Sequence, residues 1–290
     1  MSNIQTYELN KLRNYSAIFS STHFTNLLKK NDYSFLDSRI NSLKKSTKHN
    51  LLTYFDCIKL IYSNLQKDYR NEYVYKNTFI NELLIKEYGL KDTIAINEFR
   101  VGNSIADIVL FNGTSKAFEI KTELDSEKRL NGQLNDYTKI FRQCYVVTSE
   151  NLIDKYLKVD DNIGLIALYS TGRSLKMKEI RPAKINDNID AETLIKAIRT
   201  SEYKAIVKAF YGELPQMNDF NMFEICLNLI KQIPSSYLNQ LFINTLKKRR
   251  NNTNKLKSYK KELRQLALAM NLSSANYNQL FEKLNQPITN

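Results

Sequence analysis

The chain alternates between two hydrophobic rhythms. In its middle third, apolar positions recur every second residue or in short unbroken runs, whereas on either side they recur every third or fourth residue. The first rhythm predicts strands and the second amphipathic helices, because strand side chains alternate between faces while helix neighbours lie three or four residues apart. The middle therefore predicts a helix at about 76–89, strands near 93–100, 104–111 and 116–122, a helix near 127–141 and a strand at "CYVVTS". A further helix follows, then a hairpin turning at Ser170-Thr171-Gly172. Residues 1–72 hold apolar groups such as Leu51, Leu52, Phe55, Ile58 and Ile61 at helical spacing with no clear strand, and residues 187–290 behave alike. The expected fold class is α/β: a helical segment over 1–72, a mixed-sheet core over 73–186, and a helical, basic segment over 187–290.

One hairpin carries charges where a core is expected. In "DIVLFNGTSKAFEIKTE", residues 107–123, Asn112-Gly113 is a strong turn signal between two apolar runs. Alternation puts Glu119 and Lys121 on one face and Phe118 and Ile120 on the other. Register decides whether Asp107 joins them. A two-residue loop pairing Phe111 with Thr114 would set Asp107 opposite Phe118, on the wrong face. A three-residue loop with Gly113 left-handed puts Asp107, Glu119 and Lys121 together, so the functional reading demands that bulged turn.

Two carboxylates beside a lysine suit phosphodiester hydrolysis. The carboxylates repel unless a cation lies between them, and one or two protein carboxylates suit a hydrated Mg²⁺. The lysine can assist the attacking water or offset charge developing on a phosphate. The alternative is an ordinary ion pair of Glu119 and Lys121 on a solvent-exposed sheet face, with Asp107 as an edge charge. A second E-x-K triplet, Glu202-Tyr203-Lys204, lies in a helical stretch where a solvated face accounts for it.

The surrounding order of residues narrows the choice. Asp107, then Glu119-Ile120-Lys121 after eleven intervening residues, resembles the triad of the PD-(D/E)XK phosphodiesterase superfamily, the restriction-endonuclease-like fold. Downstream, Asp125, Arg129, Gln133 and Tyr137 precede a short apolar strand and resemble the Q-x-x-x-Y helix of its RecB-like branch. Upstream, Glu98 stands nine residues before Asp107, as in small bacterial branches akin to MmcB-like and VRR-NUC proteins. The resemblance covers about residues 73–186, and Ala106 stands where many members carry proline. It implies catalysis by Asp107, Glu119, Lys121, Gln133 and Tyr137, with Mg²⁺ or Mn²⁺ held by Asp107, Glu119 and Glu98. Gln133 and Tyr137 share a helix face and could reach a phosphate or the Lys121 ammonium, or be a polar surface pair. Arg129 could bind phosphate or be solvated, and Glu98 could instead pair with Arg100. Glu82, on the first helix, is a rival third acid.

Composition changes the picture chiefly through charge. The 290 residues are 42% hydrophobic, enough for a real core, and seven glycines with four prolines favour long helices. The net charge is +13, and the helical flanks hold the excess. The stretch "LKKRRNNTNKLKSYKKELRQ" sets nine basic residues against Glu262 alone. Lys247, Lys248, Arg249 and Arg250 within it are candidate phosphate contacts, the alternative being a solvated linker or helix face. The two histidines, His23 and His49, lie far apart and offer no zinc constellation, and no phosphate-binding glycine loop occurs. Cys57, Cys144 and Cys226 sit in apolar surroundings as reduced thiols would, and no run is long enough to span a membrane, so a cytoplasmic protein is expected. The expected function is a metal-dependent nuclease acting on nucleic acid, with DNA favoured, in repair, restriction or phage defence. The alternatives are a silent nucleic-acid-binding module and a helical scaffold docking a protein partner through its flanks.

Overall fold

A computed structural model describes residues 3–46, 51–172 and 174–288; His49 lies outside them. The chain forms two compact units, one of Met1–Glu87 with Lys255–Asn290 and one of Tyr88–Asn254. These limits differ from the expected segments, because hydrophobic rhythm reports element type and not which elements pack together.

The first unit is helical. It contains α1 (Asn3–Ser16), α2 (Ser21–Lys30), α3 (Ser34–Ser46), α4 (Tyr54–Asp68) and α5 (Glu72–Phe79). A π-helix, Ile80–Tyr88, continues α5 across the unit boundary. Thr53 starts α4 with a capping box: its hydroxyl accepts from the Asp56 amide at 3.2 Å while Asp56 accepts from the Thr53 amide at 3.0 Å. The apolar stripe at Phe55, Ile58 and Ile61 is buried as its spacing predicts, whereas Leu52 is exposed. Glu82 belongs to this unit and pairs with Lys86 at 2.6 Å.

The second unit is built on a six-stranded mixed sheet in the order β1-β2-β3-β4-β5-β6. Its strands are β1 (Ile94–Val101), β2 (Ser104–Phe111), β3 (Ser115–Ile120), β4 (Gln143–Ser149), β5 (Gly164–Thr171) and β6 (Ser174–Arg181). The neighbours β3, β4 and β5 run parallel, while the pairs at each end of the sheet are antiparallel. The helix after β3 begins as a 3₁₀ turn, Glu127–Arg129, and becomes α6 (Leu130–Thr138). After β4 comes α7 (Ile153–Tyr156), and after β6 come α8 (Ala191–Ala197), α9 (Thr200–Tyr211), α10 (Met222–Lys231) and α11 (Ser235–Leu246). The last two helices, α12 (Arg264–Ala269) and α13 (Ser274–Leu284), return to the first unit.

Helices α6 and α8–α11 bury one face of the sheet. Phe111 of β2 meets Phe242 of α11 edge-on at 5.1 Å, and Phe99 of β1 meets Phe141 at 5.8 Å, at the centre of that core. Strands β3 and β4 are buried on both faces, which accounts for the apolar run of β4 and puts the polar Ser115 and Glu119 of β3 out of solvent.

Candidate active site

The β2–β3 turn has the form the site requires. Phe111 pairs with Ser115, leaving Asn112, Gly113 and Thr114 as a three-residue loop, and Gly113 adopts φ +92. The pairs run on through Val109 with Ala117 to Ile108 with Phe118, so Asp107 falls opposite Glu119 and on its face. The Ile120 amide donates to Asp107 Oδ2 at 2.8 Å, tying the carboxylate to β3.

A second local feature aims this part of the sheet. Ile96 and Phe99 of β1 both join the core under α6, as do Val109 and Ala106 of β2, although strict alternation would send the members of each couple to opposite faces. The switch falls at Glu98 and Asp107, which lie between the pairs Asn97 with Ile108 and Phe99 with Ala106. Glu98 holds φ +56, a left-handed conformation costing a non-glycine residue about 1–2 kcal/mol, of the kind that collects at functional sites. Nothing in the sequence marks it. Glu98 itself is exposed, and among the described residues no three histidine, cysteine or acidic side chains gather to hold a metal ion. Of the three expected ligands, Glu119 is buried and Asp107 half-buried, while Glu98 is exposed and notable for its backbone.

On β3 the charges are buried. Glu119 is 3% exposed and Lys121 7%, so the solvent-exposed ion pair expected as the alternative is not what forms. Lys121 Nζ donates to Glu119 Oε1 at 2.8 Å and to Gln133 Oε1 at 3.0 Å. The Tyr137 hydroxyl donates to Glu119 Oε2 at 2.8 Å. The single helical turn between Gln133 and Tyr137 is what brings one to the ammonium and the other to the carboxylate. Thr148, a residue the sequence reading passed over, fixes the end of β3 by donating to the Lys121 carbonyl at 2.8 Å. Beyond it, Asp125 accepts from both the amide and the hydroxyl of Thr122 at 2.8 Å and closes the turn toward α6. Arg129 is exposed at the start of α6.

Burial pushes the Glu119 carboxyl above the usual carboxylate range, and the nearby Asp107 charge adds to the rise. Lys121 and Tyr137 pull it back down. Burial, followed by the Glu119 charge, holds the Tyr137 phenol well above its ordinary value, so it remains a hydrogen-bond donor. Half-buried Asp107 and buried Glu119 thus form a two-carboxylate site with a lysine in contact.

The basic run divides into parts with different roles. Arg249 grips Glu202 with two hydrogen bonds of 2.6 and 2.7 Å, and its guanidinium lies 5.4 Å from the Phe99 ring centre. Glu202 is 8% exposed and also accepts from the Arg199 amide at 2.8 Å at the start of α9. This overturns the solvated reading of Glu202, and it commits two of the Arg249 donors to a bidentate pair within the fold. Lys248 and Arg250 are exposed and Lys247 is half-buried. Replacing Arg249 with methionine should lower stability by about 3 kcal/mol, since it strands a buried carboxylate; unfolding in urea checks this, and a shift under about 0.5 kcal/mol would contradict it.

The fold and site define an α/β protein whose sheet carries a buried carboxylate–lysine cluster. By sequence, the family described as bacteriophage P4 protein cII matches residues 65–272, and the chain belongs to that family. Protein cII of Enterobacteria phage P4 is 30% identical over 132 residues, covering 44% of this chain. The matched region spans 50% of the phage protein's length. A solved protein of unknown function from Silicibacter pomeroyi aligns with 50% of this chain and 94% of its own at 11% identity, with a TM-score of 0.32.

Proposed function

We propose that the chain is a metal-dependent nuclease of the PD-(D/E)XK type, hydrolysing phosphodiester bonds of nucleic acid, with DNA as the favoured substrate. The observation that carries this reading is the convergence of Asp107, Glu119, Lys121, Gln133 and Tyr137 on one sheet face, through a register the two-residue alternative would have broken. Roles in repair, restriction or phage defence are all compatible with it. The buried thiols Cys57, Cys144 and Cys226 support a cytoplasmic setting, and among the described residues no helix is long and apolar enough to cross a membrane.

The residues fit a hard divalent cation. Asp107 and Glu119 supply oxygen donors close enough for one charge to disturb the other, and Mg²⁺ needs only one or two carboxylates because it keeps several waters. When bound, Mg²⁺ or Mn²⁺ would polarise the phosphate and acidify a water. Lys121 has the place and the charge to stabilise a developing phosphate anion or orient the water. Gln133 holds that ammonium in line, and Tyr137 holds Glu119.

Metal binding is the test, and it has a predicted pH dependence. Because the Glu119 carboxyl is raised in the fold, its contribution to stability is present below its ordinary range and is lost as pH rises through the raised value. A bound cation favours the ionised form, so Mn²⁺ affinity should fall on acidification at a pH above the normal carboxylate range. Lys121→Met should move that fall to still higher pH by removing a charge that lowers the Glu119 value. Calorimetric titration of Mn²⁺ reads both; affinity flat from pH 7 to 4, or unaltered by Asp107→Ala, would count against the site.

A further inference from the structure

The part of the basic stretch that lies in the helical unit forms a rigid comb. From Thr253 to Ser258 the chain is a 3₁₀ helix, and a second 3₁₀ turn runs from Lys261 to Leu263. Leu256 of the first 3₁₀ helix, Tyr259 at the bend between the two and Glu262 of the second turn are all buried. Lys255, Lys257, Lys260 and Lys261 are all exposed. The acid in this segment, Glu262, is turned inward, so the outward face between Lys255 and Lys261 is purely positive. Among the described residues none of the four ammonium groups forms a salt bridge.

A solvated linker would leave its backbone loose, and this one is pinned. The Tyr73 hydroxyl donates to the Glu262 carbonyl at 2.6 Å, and Asn77 Nδ2 donates to the Lys261 carbonyl at 2.7 Å. The Lys260 amide donates to the Tyr277 hydroxyl at 2.7 Å, and the Tyr259 and Tyr277 rings stack at 3.8 Å. Arg264 turns back onto the carbonyls of Tyr259 at 3.1 Å and Lys257 at 3.0 Å, and onto Asn81 Oδ1 at 2.8 Å. The arginine thus serves the loop, while Lys255, Lys257 and Lys261 are exposed and the exposed Lys260 places its ammonium 5.1 Å from the Phe281 ring centre. Ammonium groups on an ordered backbone lose less freedom when they meet a partner than groups on a disordered tail.

We infer that Lys255, Lys257, Lys260 and Lys261 form a phosphate-backbone contact for duplex nucleic acid, carried by the helical unit. Lys255 and Lys257 lie on the first 3₁₀ helix, about 4 Å apart along its axis at about 2 Å of rise per residue, and Lys260 and Lys261 follow beyond the bend at Tyr259. Each strand of B-DNA carries a phosphate about every 3.4 Å of axis, so four neighbouring ammonium groups on long side chains can meet up to about four phosphates. The ammonium groups are point charges without a fork to read base edges, which makes the contact sequence-independent.

The inference rests on the nucleic-acid part of the proposed function but not on cleavage, so binding of the full chain to a duplex oligonucleotide is measured in EDTA, and cleavage is scored separately. Replacing all four lysines with glutamine should reduce the steepness of log affinity against log salt by about 2–4, at about 0.9 per lost phosphate contact, while replacing the same four lysines with arginine (the arginine set) keeps the parental slope. Because the side chains are exposed, far-UV circular dichroism should be unaltered. An unchanged slope in the glutamine set would overturn the inference, as would an equal loss in the arginine set. Tighter binding to phosphatidylserine vesicles than to the duplex at the same salt would assign the comb to a membrane surface instead and also overturn it.

Discussion

Replacing Lys121 with alanine should slow cleavage by about two to three orders of magnitude while Mn²⁺ still binds. The size follows from removing one preorganised charge aimed at the transition state. Retention of the metal follows because an ammonium is not a ligand. The structure adds a direction: Lys121 Nζ contacts Glu119 Oε1 at 2.8 Å, the carboxylate that would hold the cation, so its loss should leave affinity at neutral pH equal or higher. Asp107→Ala should instead lose the metal. Lys121→Arg keeps the charge but not a readily exchanged proton, so it separates the two roles of the lysine. If Lys121→Ala cleaves at the parental rate, the lysine is only half of a buried ion pair.

That buried pair carries the second large effect. Glu119→Gln keeps the shape and the contact with the Tyr137 hydroxyl, yet it leaves the Lys121 ammonium, with 8% of its side chain exposed, without an opposing charge. Breaking a buried pair from one side costs about 3–5 kcal/mol, whereas replacing both partners with neutral groups is often without cost. Urea unfolding of Glu119→Gln should therefore show a loss in that range, and Glu119→Gln with Lys121→Met should recover most of it. A double variant as unstable as the sum of its singles would mean that the two side chains act independently.

Much of the sheet was legible because its signals are local. The Asn112-Gly113 turn, the β-branched run before it and the alternation of "AFEIK" fix a hairpin within a few residues, and the odd loop could be deduced from the face that Asp107 had to share with Glu119. The pairing of Gln133 and Tyr137 with that face was foreseeable for the same reason, since one helical turn separates them. The features that escaped depend on distant contacts or backbone angles. Glu98 at φ +56 carries no marker, because glutamate is not a residue that favours the left-handed region. Arg249 looked like one more cation in a basic run until its carboxylate, 47 residues earlier on α9, was placed beside it. The division of the basic stretch between two units was equally hidden, since charge alone does not say which residues face inward.

The central claim is that Asp107, Glu119 and Lys121 form one hydrolytic site, and cleavage by the parent chain set beside Asp107→Asn tests it most directly. Both proteins are incubated with single- and double-stranded DNA and RNA in Mg²⁺, Mn²⁺ or EDTA, and the products are separated by size. The account predicts strand scission by the parent with a divalent ion, none in EDTA, and a loss of at least about a hundredfold in Asp107→Asn on the same substrate. Scission at the same rate by the two proteins, or no scission by the parent on any of these substrates with either metal, would contradict it.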